Sequence, residues 1–132
     1  DVAMNVAVKA IGMFNKLNVP IIGVVENMSF LQCPHCDEQI HLFGKGGGKK
    51  ISEEFKIPFI GEIPLHQQIR TGSDTGKPTV LSEPESFQAQ SFDKAAKMVA
   101  GRISVIAAEM RAQEEAEAKT TQETPATEKP SS

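Results

Sequence analysis

The 132-residue chain has no tryptophan, no tyrosine and only two cysteines. Any core must therefore be aliphatic, with seven phenylalanines as its only large rings. No apolar run approaches the ~20 residues that a membrane-spanning helix needs. Charge of one sign is not in excess either. The net value of −3 gives no electrostatic reason to expect nucleic acid or an anionic membrane as partner. The first residues, Asp1-Val2-Ala3-Met4-Asn5, lack a basic region and a cleavage site, so they do not read as a signal peptide and a cytoplasmic setting is expected. They also lack an initiator methionine, which leads us to expect further sequence upstream. In such a setting, two cysteines in one Cys-x-x-Cys point to a metal or redox site rather than a structural disulfide.

What is present reads as alternating helices and strands. Met4, Ala7/Val8, Ile11, Phe14 and Leu17 recur at three-to-four spacing, which predicts a helix over residues 1–18. Val19-Pro20 breaks it. The continuous apolar run Ile21-Ile22-Gly23-Val24-Val25 fits a parallel strand buried on both faces. Residues 27 to about 48 read as a loop holding Cys33-Pro34-His35-Cys36 and a glycine cluster, with Pro34 stiffening the segment between the thiols. A short helix over 48–56 leads to a second strand over 58–63. This α-β-α-β order argues for an α/β fold with a parallel sheet. Residues 71–78 are polar and turn-rich. A last helix starts near Pro84 and Ser86, with the stripe Phe87, Phe92, Ala96, Val99, Ile103, Ile106 and Met110. The stripe ends there, and 111–132 reads as a disordered acidic and polar tail. Two strands cannot cover the apolar faces of three helices, and mean sheets have ~5–6 strands. We therefore expect part of a larger doubly wound sheet, and poor stability for these residues alone.

Cys33 and Cys36 are spaced to grip one soft metal centre. Two thiolates are half of the four that a [4Fe–4S] cluster or a tetrahedral zinc requires. A second copy of the chain could supply the other pair across a two-fold axis. Alternatively, His35 and His41 could complete a mononuclear zinc site in an interaction module. A third reading is a thiol oxidoreductase, since Cys-Pro-His-Cys is also the active-site tetrapeptide of DsbA-like enzymes. There the first cysteine caps a long helix that lowers its pKa. Here the following residues carry no helical stripe, and Asp37 and Glu38 would raise a thiol pKa. Two inert reduced thiols are the remaining alternative.

Lys45-Gly46-Gly47-Gly48-Lys49-Lys50 does not meet the phosphate-loop pattern Gly-x-x-x-x-Gly-Lys-Ser/Thr. Phe43 stands at the first glycine position and Lys50 at the magnesium-binding hydroxyl. A structural hinge into the next helix is expected instead, with anion binding by the backbone a weak second possibility. In open parallel sheets ligands bind at the carboxyl ends of strands. Those ends hold Asn27, whose amide could read an adenine edge, and Pro64-Leu65, which offer backbone groups and an apolar wall. A turn-forming Asn27 and a solvated Arg70 are the plainer readings.

Several unusual segments occur together and in order: Pro20-Ile21-Ile22-Gly23-Val24-Val25-Glu26-Asn27-Met28-Ser29, Cys33-Pro34-His35-Cys36, Phe43-Gly44-x-Gly46-Gly47-Gly48, Pro58-Phe59-x-Gly61-x-Ile63-Pro64-Leu65 and Ile69-Arg70-x-Gly72-x-Asp74-x-Gly76-Lys77-Pro78. Over residues 1 to about 108 the chain resembles the Mrp/ApbC iron–sulfur carriers, deviant P-loop ATPases related to MinD and ParA. The resemblance implies the C-terminal portion of a P-loop NTPase-like domain over 1–110. It implies a homodimer that bridges a [4Fe–4S] cluster through the Cys-x-x-Cys of each subunit, and ATP hydrolysis linked to transfer of that cluster to apo iron–sulfur proteins. It also implies that Asn27, Pro64 and Leu65 border the adenine of ATP. The family's phosphate loop and magnesium carboxylate have no counterpart in these residues, so ATPase activity is not expected of this chain alone. His66 stands where the family usually has aspartate, which sets that nucleotide contact apart.

Overall fold

The computed structural model describes residues 2–122 with the exception of Pro34 and Asp37. The stiffening role expected of Pro34, and the part of the expected tail over 123–132, lie outside the described residues. The chain divides into two units, Asp1–Ala100 and Gly101–Ser132.

Helix α1 (Val2–Lys16) turns its apolar stripe inward at Ile11, which is buried. Its end is set by Asn18, which adopts a left-handed φ of 53°. The Asn18 N–H reaches back to the Asn15 carbonyl at 3.2 Å and the Val19 N–H to the Phe14 carbonyl at 2.9 Å, a Schellman closure. Pro20 then has no helix left to break.

Strand β1 (Val24–Gln32) begins later and runs much further than the apolar run predicts. Ile21 and Ile22 precede it. The ladder opens where the Val24 N–H donates to the Pro58 carbonyl at 2.9 Å. Gly23 is pressed against this point: a Cβ there would lie 2.8 Å from the Pro58 oxygen and collide with the Ile60 side chain. Residues 27–32, expected as loop, are strand because they pair with β3 (Phe59–Leu65) in parallel and with β2 (Gln39–Ile40) antiparallel. The sheet order is β2-β1-β3, so the sheet is mixed rather than purely parallel. The β1–β3 register is regular from Val25↔Gly61 to Asn27↔Ile63, then resumes at Leu31↔Leu65. Four residue steps on β1 thus face two on β3. Met28, at φ 55°, sits within this bulge.

Helix α2 (Gly47–Phe55) crosses from β2 to β3 and buries Ile51 against the sheet. Residues 71–78 are more helical than their polarity predicts. Helix α3 (Gln67–Asp74) takes the first half of the segment and helix α4 (Thr79–Ser82) starts directly after it. In α3, hydroxyls return to the backbone one turn back, Thr71 to Gln67 and Ser73 to Ile69. Helix α5 (Phe87–Gln122) starts after Ser86, whose Oγ accepts from the Ala89 N–H as a helix cap. Ile11, Phe30, Ile51, Ile60, Ile63 and Ala89 form the core of the first unit. The second unit is helical through Gln122, so the disorder expected from residue 111 does not describe 111–122. Alanine, glutamate, glutamine and lysine hold a helix by propensity without an apolar stripe. Among the described residues, no helix is long and apolar enough to cross a membrane.

Candidate functional site: a cysteine hairpin beside a capped glycine turn

The continuation of β1 to Gln32 changes the setting of the cysteines. They lie in the turn of a β-hairpin, not in a long open loop. Leu31 and Gln32 pair with Ile40 and Gln39, and the Cys33 N–H donates to the Glu38 carbonyl at 2.9 Å. Cys33 is half-buried at the base of this turn and Cys36 is exposed, with no disulfide joining them. Among the described residues, no cluster of three or more His, Cys, Asp or Glu gathers to hold a metal. His35 is exposed in the turn. His41, the other histidine of the zinc alternative, turns toward the sheet: its Nδ1 lies 3.1 Å from the Ser29 carbonyl and its ring meets Phe30 edge-on at 6.1 Å. A carbonyl oxygen can only accept, so Nδ1 carries the proton.

The glycine turn is structural, as its pattern predicts. Gly46, at φ 75°, turns the chain into α2. Gly48 lies against β1 so closely that a Cβ would come within 2.9 Å of the Glu26 Cβ and 3.1 Å of the Phe59 ring. Its N–H donates to Glu26 Oε2 at 2.9 Å. The anion at this helix N-terminus is therefore the chain's own carboxylate, placed where the helix dipole favours it. Lys49 is directed to β3, with Nζ 3.7 Å from Glu62 Oε1 and 5.7 Å from the centre of the Phe59 ring.

Asn27 lies within β1 rather than beyond a strand end, and its Oδ1 accepts from the Met28 N–H at 2.9 Å. It lines a cleft of about 670 Å³ with Met4, Ala7, Val25, Phe43 and Lys50. Pro64 and Leu65 close strand β3 one residue beyond the Asn27↔Ile63 pair, Pro64 buried and Leu65 half-buried, and they do not line that cleft. The structure thus brings Asn27 beside the Pro64-Leu65 strand end without joining them in one pocket. Cys33 and Cys36 stand apart from the cleft. His66 caps α3, its Nδ1 accepting from the Gln68 N–H at 3.2 Å. An aspartate there could accept the same bond. Arg70 forms an exposed ion pair with Asp74 one turn on. His41 is the residue that sequence reasoning placed least well.

A family model described as ParA, NUBPL iron-transfer P-loop NTPase, matches residues 1–100. The iron-sulfur cluster transfer protein NUBPL of Dictyostelium discoideum is 42% identical over 106 residues, 80% of this chain and 33% of that protein. The iron-sulfur cluster carrier protein of Deinococcus radiodurans is 45% identical over 105 residues, 80% of this chain and 29% of that protein. A solved nucleotide-binding protein from Archaeoglobus fulgidus, in complex with ADP, is 36% identical and superposes with a TM-score of 0.52 over 62% of this chain and 32% of that chain. The chain spans about a third of the length of the curated relatives it matches. The α/β architecture is that of part of a P-loop nucleotide-binding fold.

Proposed function

The chain belongs to the ParA-type family of NUBPL iron-transfer P-loop NTPases, and from that premise we propose that it holds an iron–sulfur cluster as cargo and delivers it to apo iron–sulfur proteins. The observation that carries this reading is the display of Cys33 and Cys36 in the turn of a hairpin, with no third donor gathered around them among the described residues. A cubane [4Fe–4S] cluster needs four thiolates. Two chains related by a two-fold axis supply them, each giving one hairpin, so the cluster bridges a homodimer. Delivery is a ligand exchange. Thiolates of the acceptor replace those of Cys33 and Cys36 on iron, the displaced cysteines take up protons, and no oxidation state has to change. Exposure of Cys36 suits this step, because an incoming thiolate must reach the iron.

ATP is the nucleotide of the whole protein in this reading. Asn27 and the Pro64-Leu65 segment border the adenine. The phosphate cradle is not among these 132 residues, since their glycine turn is already capped by Glu26. Hydrolysis therefore belongs to the longer protein, where it is coupled to cluster release.

Anaerobic reconstitution with iron and sulfide, followed by metal and sulfide analysis and mass determination, tests the proposal. The expected product is brown, with four iron and four sulfide per two chains in the [4Fe–4S] stoichiometry. Colourless protein with stoichiometric zinc would replace the carrier with a zinc-binding module. Insulin reduction in the absence of metal would replace it with a thiol oxidoreductase.

A further inference from the structure

The cysteine hairpin has little to hold it. Strand β2 is two residues long, both exposed, and meets β1 through two register pairs. A two-stranded ribbon of that size is marginal in water. Immediately after β2, the His41 Nδ1–H donates to the Ser29 carbonyl at 3.1 Å, and the ring packs edge-on against Phe30. Both anchors are buried, Ser29 at 5% and Phe30 at 4% exposure. Ser29 is itself tied to β3, its Oγ donating to the Ile63 carbonyl at 3.2 Å. Phe30 packs on Phe87 with ring centres 5.9 Å apart. His41 is therefore where the returning arm of the hairpin is fastened to the core, five residues beyond Cys36.

We infer that His41 is a positioning residue for the metal-holding hairpin: through Ser29 and Phe30 it fixes the arm that carries Cys36, and so sets how tightly the cysteine pair retains metal. The inference rests on the proposed cluster-carrying role for its consequence, but the geometry itself can be read with a simpler probe. Partners that orient a metal ligand typically cost about 10- to 100-fold in metal affinity when removed. The buried Ser29 carbonyl would also lose its histidine donor.

Two substitutions separate the hydrogen bond from the packing. His41→Asn keeps an N–H donor near the Nδ1 position, while His41→Phe keeps a ring on Phe30 but gives no donor. Cobalt(II) titration of the reduced protein reads the cysteine pair directly through its thiolate charge-transfer absorption. Iron loss from reconstituted protein to a chelator reads cluster retention. We expect His41→Phe to weaken cobalt binding and speed iron loss by about tenfold or more, and His41→Asn to restore most of both. Equal cobalt affinity in the wild type, His41→Phe and His41→Ala would overturn the inference. Should the wild type take up cobalt but no iron–sulfur cluster, the carrier proposal fails, and the cobalt series still decides the role of His41.

Discussion

Two neighbouring segments of this chain advertise chemistry, and their structures differ in what remains uncommitted. The glycine turn at 46–48 looks like a phosphate cradle, yet its buried N–H is taken by Glu26 and its adjacent Lys49 is held over β3 by Glu62 and Phe59. The cysteine turn at 33–36 looks like a metal knuckle, and Cys36 is exposed in a hairpin closed by the bond from the Cys33 N–H to the Glu38 carbonyl. A ligand site needs groups that the fold has not spent on itself. By that criterion the first segment is a joint between elements, and the exposed Cys36 of the second is the group left open to the proposed ligand.

The comparison breaks most sharply at the cysteines. Cys33→Ser or Cys36→Ser should abolish cluster binding outright, because each change removes two of four thiolates from a symmetric site. A full-occupancy cluster in the Cys36→Ser protein, by iron and sulfide analysis, would end the bridging arrangement. On the other side, Gly48→Ala should lower stability by about 1–3 kcal/mol, since the new methyl has to push Glu26 and the Phe59 ring aside. Urea unfolding reads this loss, and an unchanged or raised midpoint would mean that α2 is not pressed on β1 as described. Glu26→Ala removes the acceptor at the α2 N-terminus and should cost about 0.5–2 kcal/mol, with Glu26→Gln costing less. The smallest effect is expected at Lys49. Its ion pair is long and its side chain is 60% exposed, so Lys49→Ala should change stability by no more than about 0.5 kcal/mol. The chain should hydrolyse no ATP before or after that change. Magnesium-dependent turnover that disappears in Lys49→Ala would turn the joint back into a phosphate site.

The elements legible in the sequence were those whose own side chains carry the pattern. Met4, Ile11 and Phe14 mark α1, Phe59 and Ile60 mark β3, and the Cys-x-x-Cys spacing marks the pair proposed to hold the cluster. What escaped depends on partners distant in sequence. Residues 27–32 look like loop residues and become strand because β3 and β2 lie alongside, with the Ser29 hydroxyl bonded to Ile63. Helix α3 is hidden by glutamine, serine and threonine, and is stabilised by a histidine cap and by hydroxyls bonded one turn back. The extension of α5 past Met110 has no apolar stripe to announce it. Asn27 was expected at a strand end and lies within β1. His41 was weighed only as a zinc ligand, because its bond to Ser29 exists only once the hairpin closes.

The bulge around Met28 carries one further consequence, which concerns phase. Side chains alternate between the two faces of a strand, so a change of one residue in register exchanges the faces. Before the bulge, Val24 and Glu26 turn inward while Val25 and Asn27 turn out; beyond it Ser29 and Phe30 are both buried. The two residues that the bulge adds to β1 are an even number, so they lengthen the strand without exchanging its faces. A deletion of one residue there would make the excess odd, and so would preserve every side chain of the Cys-x-x-Cys motif while exchanging the faces of the strand that leads to it.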